Sequence, residues 1–422
     1  MVFARMLIFA TILSCLASPV NVLAETPLTW KDCVQEAFKN HPDIAAAAAQ
    51  VSQARARRDI AHSAGLPHIS GFADRTRTSV EPYPKADTYS YGITASQLLF
   101  NAFKTSYDVS AAEEAVRSAE YAYMAVSSDV RYRLRSAFVD LLRAQELLSI
   151  AQEIADRRRR NLELVRLRYT AGREHKGSLL TAEANLSQAE FEVSQAGRNL
   201  ALAQHRLGRE LGRKAFSAIR VQGSLAVSES TAMPDNIEDM ARADFEVQRR
   251  LALKEQARFG LKSARADLAP KLYANASAGR TSSDWPPRSD EWSIGLNLTL
   301  PLFEGGIRQA EVARARAALR QAEAEEQSAI NEAAASLRDK WTKFANAVEQ
   351  AGVQRKFLEA AQARAKIARA QYSTGLISFD TWTIIEDDLV RAEKALLSAE
   401  ADAMILEADW IRARGGTLEN AE

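Results

Sequence analysis

The sequence predicts a mainly α-helical chain with a small β part, built from two copies of one repeat. Three observations predict it: long stretches without proline, a repeat at one fixed offset, and short segments in which apolar and polar residues alternate. The 422 residues are 47% hydrophobic and 26% charged, which is typical of a folded protein. The 55 basic and 54 acidic residues nearly cancel, so no overall charge favours nucleic acid as a partner.

The helices are predicted from the spacing of proline. Residues 85–233 and 302–422 contain none of the eleven prolines and are rich in alanine, glutamate, glutamine, arginine and leucine. Proline interrupts helices, and these other residues favour them. We therefore expect each interval to hold a helix of about 65 residues, a glycine turn and a second helix of about 35 residues, so that the long helix spans on the order of 100 Å.

The two halves repeat each other at an offset of 203 residues. Residues that usually mark turns or ends of elements coincide: Pro67 with Pro270, Gly92 with Gly295, Tyr169 with Tyr372, Gly172 with Gly375 and Gly212 with Gly415. We expect a first repeat over residues 25–212, a connecting segment over 213–237, a second repeat over 238–415 and a tail over 416–422. Each repeat should contain one helix, two strands and a long helical hairpin.

Apolar residues recur every seven positions along each long helix. The two series are Leu134, Leu141, Leu148, Ala155, Leu162 and Tyr169, and Leu337, Phe344, Ala351, Leu358, Ala365 and Tyr372. A seven-residue period predicts left-handed, coiled-coil-like packing between helices. An ordinary coiled coil is the alternative interpretation of these helices.

Between the helices the period changes from seven to two. The predicted strands lie at about 67–99 and 270–300, two in each repeat, and place on one face Tyr89, Tyr91, Ile93, Trp292, Ile294, Leu296 and Leu298. Strands of about ten residues suit a tilted crossing of a bilayer, so we interpret this face as lipid-facing. A soluble sheet packed on the helices is the alternative interpretation.

Four strands cannot close a membrane barrel by themselves. Open sheet edges leave backbone groups without hydrogen bonds, which lipid does not tolerate, and known barrels begin at about eight strands. Copies of the chain must therefore pool their strands, and a trimer would supply twelve. The long helices would then pack side by side into a helical tube that continues the barrel.

The first 24 residues have the layout of a secretory signal peptide. Arg5 precedes an apolar run, and Val22-Leu23-Ala24 precedes a polar start at Glu25,. An uncleaved anchor, or lipidation at Cys15, is the alternative. Cleavage would leave Cys33 as the single cysteine, so no disulfide within the chain is expected.

Three further passages resemble one protein family. They are Leu28-Thr29-Trp30 with Asn40-His41-Pro42-Asp43, Leu300-Pro301-Leu302-Phe303-Glu304-Gly305-Gly306, and Tyr372-Ser373-Thr374-Gly375-Leu376-Ile377-Ser378-Phe379-Asp380. With the duplication, they resemble the outer-membrane efflux proteins, the TolC-type exit ducts of Gram-negative bacteria. The resemblance implies a homotrimer in which an α-barrel continues a 12-stranded transmembrane β-barrel. It also implies an outer-membrane location, contact with outer-membrane lipid, and export together with a periplasmic adaptor protein and an inner-membrane pump.

The resemblance also implies roles for the two hairpin turns. It implies adaptor docking at Gly172, Arg173, Gly375, Leu376 and Ile377, and a tip constriction that could use Asp380 and Asp387. His175 stands opposite Ser378 in the repeat, so the docking surface of the first turn is expected to be more polar. A pair of simply capped hairpins is the alternative interpretation.

The sequence offers no catalytic constellation. The five histidines form no HExxH motif, and neither a Walker A nor a Rossmann glycine pattern is present,. We therefore predict no enzymatic activity, no cofactor and no metal site. The predicted function is a passive exit duct of a tripartite export system, and the alternative is a periplasmic coiled-coil adaptor or scaffold.

Overall fold

The computed structural model of the chain describes residues 27–79, 81–82, 86–215, 218–226 and 233–421. The predicted signal peptide, including Cys15, lies outside these residues. The described elements, in chain order, are α1 (Trp30–Asn40), α2 (Pro42–Ser63), β1 (His68–Thr78), β2 (Ala86–Phe100), α3 (Lys104–Thr170), α4 (Lys176–Glu210), α5 (Ile237–Ala243), α6 (Phe245–Ala266), β3 (Lys271–Ser282), β4 (Ser289–Thr299), α7 (Ile307–Thr374) and α8 (Phe379–Ala413).

The helical hairpins have the predicted lengths. Helices α3 and α7 contain 67 and 68 residues, and α4 and α8 contain 35 each. Both long helices begin after two residues in the left-handed conformation, Gly305 and Gly306 in the second repeat and Ala102 and Phe103 in the first. Glycine adopts this conformation freely, whereas Ala102 and Phe103 adopt it against their steric preference. The same sharp passage from strand to helix therefore occurs in both repeats.

The single helix predicted before each strand pair is wrong, because each is two helices. His41 has an extended backbone between α1 and α2, which is the conformation that a following proline favours. Its Nδ1 atom accepts a hydrogen bond from the amide of Asp43, so His41 caps α2. Asp244 is extended between α5 and α6 and caps α6 through the amides of Glu246 and Val247,.

The four predicted strands form one antiparallel sheet in the order β1-β2-β3-β4. The two hairpins, one from each repeat, join where β2 pairs with β3. Gly92 and Gly279 face each other there, and a Cβ atom on either would lie 2.5 Å from a carbonyl oxygen of the opposite strand. Strands β1 and β4 form the two edges of the sheet.

One face of the sheet carries the predicted apolar residues of β2 and β4 together with alanines of β3. Directly paired residues share a face, and the pairs Ile93 with Ala278 and Ile294 with Ala276 place the predicted apolar residues together,. Ile294 is 79% exposed and Trp292 is 75% exposed in the single chain. The helices therefore do not cover this face, unlike the sheet in the soluble alternative.

The helices lie side by side below the sheet. In the half near the sheet, α3 packs against α2 and α6, and α6 packs against α7; in the other half, α3 packs against α4 and α8, and α8 packs against α7. The chain is thus a strip with α2 and α4 along one flank and α7 along the other. No helix among the described residues has the length and apolar character needed to cross a membrane.

A large buried cluster lies where α1 and residues 218–226 cover α3. Leu134, Phe138 and Leu141 of α3 pack there with Leu207 of α4 and Ile219. The covering segments are tied together by two backbone hydrogen bonds, from Leu28 to Arg220 at 2.9 Å and from Gln222 to Leu28 at 3.0 Å. These segments cover one side of the helical layer near its middle.

Candidate functional site

The two helical hairpins turn at the same end of the molecule, which we call the tip. Gly172, with a φ of +69°, follows α3, and Gly375, with a φ of +84°, follows α7. The amides of Arg173 and Leu376 each donate a hydrogen bond of 2.8 Å to a carbonyl in the last turn of the preceding helix. This is the hydrogen bonding of a left-handed helix C-cap, which favours glycine. Both turns therefore require glycine for the same reason.

The helices that leave the two turns begin with capping side chains in equivalent positions. The Ser378 hydroxyl accepts a hydrogen bond from the amide of Thr381 at 3.2 Å. His175 does the same with Nδ1, which accepts from the amide of Ser178 at 3.2 Å. His175 is thus a helix cap, a role that was not predicted from the sequence.

Aromatic residues of the second hairpin fill the space between the hairpins at the tip. Tyr372 stacks on Trp382 with ring centroids 4.3 Å apart, and Phe379 meets both rings edge-on at 6.3 and 6.4 Å. These rings belong to a buried cluster that we call the tip core, formed by Leu162, Val165, Ala182, Ala368, Tyr372, Phe379 and Trp382. Because its members come from both hairpins, apolar burial holds the hairpins together.

The predicted docking residues lie on the surface beside the tip core. Gly172, Arg173 and Gly375 are exposed, and Leu376 is 76% exposed. Ile377 is partly buried and packs against the tip core. The structure therefore brings all five residues to one end of the molecule, with Leu376 as the most prominent apolar side chain among them.

Tyr372 also connects the hairpins through polar contacts. Its hydroxyl donates a hydrogen bond of 3.0 Å to Glu174, and Arg168 donates one of 2.7 Å to its carbonyl oxygen. The Arg168 guanidinium lies 4.6 Å from the centroid of the Tyr372 ring, a cation–π distance. These contacts join the end of α7 to both sides of the first turn.

The electrostatics of Glu174 and Tyr372 follow from this geometry. Burial, reinforced by the hydrogen bond to Glu174, raises the pKa of Tyr372. Partial burial opposes ionisation of Glu174, but hydrogen bonds from Ser178 and Tyr372 outweigh it and hold its pKa below the ordinary value,. Near neutral pH the pair is therefore a neutral donor and an ionised acceptor, the stronger form of such a hydrogen bond.

A second set of polar contacts joins α3 to α8 farther from the turns. We call it the polar ladder: Arg157, Arg158 and Asn161 on α3 with Glu386, Asp387 and Glu393 on α8. Arg157 binds both oxygens of Glu393, at 3.0 and 2.7 Å. Burial disfavours the charged form of Arg157, but Glu393 and Glu386 outweigh it and raise its pKa. Arg157 and Arg158 therefore form an ion-pairing face between α3 and α8.

The two residues proposed for a tip constriction have different surroundings. Asp387 forms an ion pair with Arg158. Asp380 is exposed in the first turn of α8, and the described part of the chain supplies no ion pair for it. Asp380 is therefore the more available of the two carboxylates.

The two tyrosines that precede the turns are not equivalent, contrary to the shared heptad series. Tyr372 is fully buried, whereas Tyr169 is 38% exposed. The positions equivalent to Phe379 and Trp382 are Lys176 and Leu179, so the first hairpin lacks the rings against which a tyrosine could stack. Tyr169 therefore does not pack as Tyr372 does, although both belong to the seven-residue series.

A match to a protein-family model shows which family this chain belongs to. A family model described as outer membrane efflux protein matches residues 33–213 and 237–416, which together are most of the chain. The chain belongs to the outer membrane efflux protein family. The two matched segments correspond to the two repeats of the sequence.

Individual relatives agree with this assignment. The chain is 26% identical over 317 residues to the fusaric acid resistance protein FusA of Burkholderia cepacia, covering 69% of this chain and 58% of FusA. It is 24% identical over 401 residues to the solvent efflux pump outer membrane protein SrpC of Pseudomonas putida, covering 90% of this chain and 83% of SrpC. The crystal structure of CusC superimposes with a TM-score of 0.83 at 20% identity and covers 92% of both chains.

The function and location follow from the family. The chain is a subunit of an outer-membrane efflux or secretion channel that extends into the periplasm. The predictions of family, fold, location and channel function are confirmed. The alternative, a periplasmic adaptor or scaffold, has no support among these proteins.

The contacts between the hairpins were not predicted from the sequence. Apart from Asp387, the residues of the polar ladder were not selected as site residues, and neither were Glu174 and Arg168. The offset between the repeats was the one feature of the sequence that could have indicated these contacts. It shows that Glu174 and Tyr372 flank equivalent turns. Which of the many charges pair across the hairpins could be read only from the packing.

Proposed function

We propose that three copies of the chain form the channel, each contributing four strands to a 12-stranded barrel and four rows of helices to a helical tube below it. The unpaired edges of the sheet support the proposal: β1 and β4 each pair on one side only within the described chain. In lipid, every backbone N–H and C=O needs a partner, and a closed ring of strands supplies it.

The flanks of the helical strip support the same ring. Helices α4 and α7 lie at the two flanks and carry exposed apolar residues: Leu180 and Phe191 on α4, and Val353, Phe357 and Ile367 on α7. The two sets lie on opposite flanks, so one copy meets the next head to tail. Such contacts close into a ring when the rotation between copies completes a circle.

In this ring the apolar face of the sheet contacts outer-membrane lipid. Tyr89, Tyr91, Ile93 and the apolar residues of β4 would lie outside the barrel, with polar residues such as Ser277 and Ser293 lining the lumen. The segments that cover α3 would lie outside the tube, because an inner position would obstruct it. The subunit has no catalytic role and needs no cofactor in this proposal, since an inner-membrane pump supplies the energy.

The exposed turns would dock a periplasmic adaptor protein. Leu376 supports this proposal because a large apolar side chain at the end of a hairpin has no covering residue in the described chain. Arg173 and Gly172 would extend the docking surface over the first turn, and Gly375 and Ile377 over the second. Asp380 and Asp387 would face the opening that the tips of three copies enclose.

Opening of the tip would require the two hairpins of each copy to separate. The contacts that oppose separation are the tip core, the Tyr372–Glu174 hydrogen bond and the polar ladder. Adaptor docking would favour the separated state by binding it more tightly, which is how a partner shifts a two-state equilibrium.

Photo-crosslinking tests adaptor docking in intact cells. A photoreactive amino acid at Leu376 should yield a covalent product that contains a periplasmic adaptor, identified by peptide mass spectrometry. The same amino acid at Ile60, an exposed apolar residue of α2, is the matched control. An adaptor product of equal yield from Ile60, or none from Leu376, would remove the case for docking at the tip.

Assembly and conduction are tested on the detergent-extracted protein. Native mass spectrometry should give the mass of three chains, and the same particles should conduct ions across a planar bilayer. A stable single chain that does not insert into the bilayer would refute the proposed ring.

A further inference from the structure

A cavity far from the tip contains two arginines whose charges are incompletely balanced. It has a volume of about 200 Å³ and lies between α3 and α8, beside Trp30 at the start of α1 and Gly416 after α8. Arg131 and Arg135 project into it from successive turns of α3, and Glu407 lines it from α8. We call it the arginine cavity.

Neither arginine has a hydrogen-bonded acceptor within the part of the chain that the structure describes. Arg135 stacks on the rings of Trp30 and Phe138, at 4.9 and 5.7 Å, which leaves the N–H groups at its edge without an assigned partner. Arg131 lies against the backbone of Gly416. A guanidinium carries five N–H donors, and unmade hydrogen bonds of partly buried charged groups are costly.

Burial makes this arrangement more demanding. Burial lowers the pKa of both Arg131 and Arg135. The charge of Glu407 partly raises the pKa of Arg135 again, and the neighbouring charge of Arg131 lowers it. A third arginine of the same cavity shows the contrast: Arg412 donates to Asp129 at 2.7 Å and to Asp409 at 3.1 Å. One arginine of the cavity is thus fully paired, and two share a single carboxylate.

We propose that the arginine cavity binds a small tetrahedral oxyanion of the phosphate class between Arg131 and Arg135. Guanidinium groups match phosphate oxygens with paired N–H donors, and two of them one helical turn apart can hold one anion from two sides. Tyr132 also lines the cavity, and its hydroxyl can add a donor.

The position of the cavity favours a free ion over a lipid headgroup. Arg131 lies 27 residues after the start of α3, which places it about 40 Å along the helix from the strands. A headgroup held at the level of the strands does not reach that far. The bound ion would link α3, from the first repeat, to α8, from the second.

The repeat supplies a matched control for the test. Position 338 is equivalent to Arg135, and Arg338 is exposed on α7. Position 334, equivalent to Arg131, is alanine. The second repeat therefore lacks the pair of arginines, and a change at Arg338 removes the same charge without affecting the cavity.

Binding is measured by equilibrium dialysis of radiolabelled inorganic phosphate against the detergent-purified full chain at constant ionic strength. We expect one saturable site per chain with a dissociation constant of about 1 mM or lower. The substitutions Arg131→Gln and Arg135→Gln should each weaken binding by about tenfold or more, whereas Arg338→Gln should leave it unchanged. Glu407→Gln removes a competing carboxylate and should tighten binding.

The variants also separate binding from structure. Arg135→Gln loses stacking on Trp30, so circular dichroism and native mass spectrometry must show an intact particle, and Arg131→Gln tests the site if that particle is lost. Protein in phosphatidylglycerol nanodiscs should bind phosphate as the detergent-purified protein does. The absence of a saturable site, equal weakening by Arg338→Gln, weaker binding in Glu407→Gln, or loss of binding in nanodiscs would each overturn the proposal.

Discussion

Replacing Tyr372 by phenylalanine tests whether the tip is held closed by contacts between the hairpins. The substitution removes one hydroxyl and keeps the ring that stacks on Trp382. The hydroxyl donates to Glu174 at 3.0 Å. This hydrogen bond joins the end of α7 to the first turn, just before α4 begins. The variant therefore weakens the closed tip with little change in packing.

The size of the effect follows from the surroundings of the hydrogen bond. Tyr372 is fully buried, and the side chain of Glu174 is 10% exposed. A hydrogen bond to a charged acceptor contributes about 1.5–3 kcal/mol in such a site. If the bond exists only when the tip is closed, its loss should shift the balance toward the open state by roughly tenfold to hundredfold.

Single-channel recording in planar bilayers measures this balance as the fraction of time spent open. Tyr372→Phe should raise the open fraction, and Tyr169→Phe, the equivalent change at an exposed tyrosine, should leave it as in the unmodified protein. An open fraction in Tyr372→Phe equal to that of Tyr169→Phe would show that this hydrogen bond does not hold the tip closed.

Three further predictions concern the tip and the core. Gly375→Glu should reduce export while leaving trimers intact, because the left-handed backbone disfavours any side chain there, and a charged side chain would disturb the proposed docking turn. Gly352→Glu, within α7, is the control in an export assay. Leu134→Ala should lower the free energy of unfolding by about 2–5 kcal/mol, since the side chain is fully buried,; a loss below about 1 kcal/mol in denaturant titration would contradict this. Because the native pKa of Glu174 lies below its ordinary value of 4.5, its stabilisation of the closed tip should persist at higher pH and be lost as the pH falls through the native pKa. Glu174→Gln should make the open fraction insensitive to pH in that range.

The long helices and the strands could be predicted because their signals are local. The absence of proline and a seven-residue period predict α3 and α7, and alternation with period two predicts the strands. Because the sequence is duplicated, each of these elements is predicted twice, once in each repeat. The break between α1 and α2 was also predictable, since Pro42 disfavours a helical backbone at His41. Asp244 has no such neighbour, and its role as a cap became visible only in the structure.

The contacts between the hairpins could not be predicted, because they depend on packing between distant residues. Arg157 and Glu393 are 236 residues apart, and Arg158 and Asp387 are 229 apart. Neither spacing is a feature of the repeat, whose offset is 203 residues. A pairing across hairpins follows from the angle and stagger of the helices, which a periodic pattern does not specify.

Ring closure through the sheet edges is tested most directly by disulfide cross-linking between β1 and β4. A cysteine at Ser70, combined in turn with cysteines along the same face of β4 such as Ser293, cannot cross-link within one chain, because these edges lie about 14 Å apart across the sheet. Burial raises the pKa of the Cys33 thiol to about 12, so that thiol does not compete. Oxidation should link up to three chains, and at least one pair should give a covalent trimer. Chains that remain single in every pair would contradict the closed barrel.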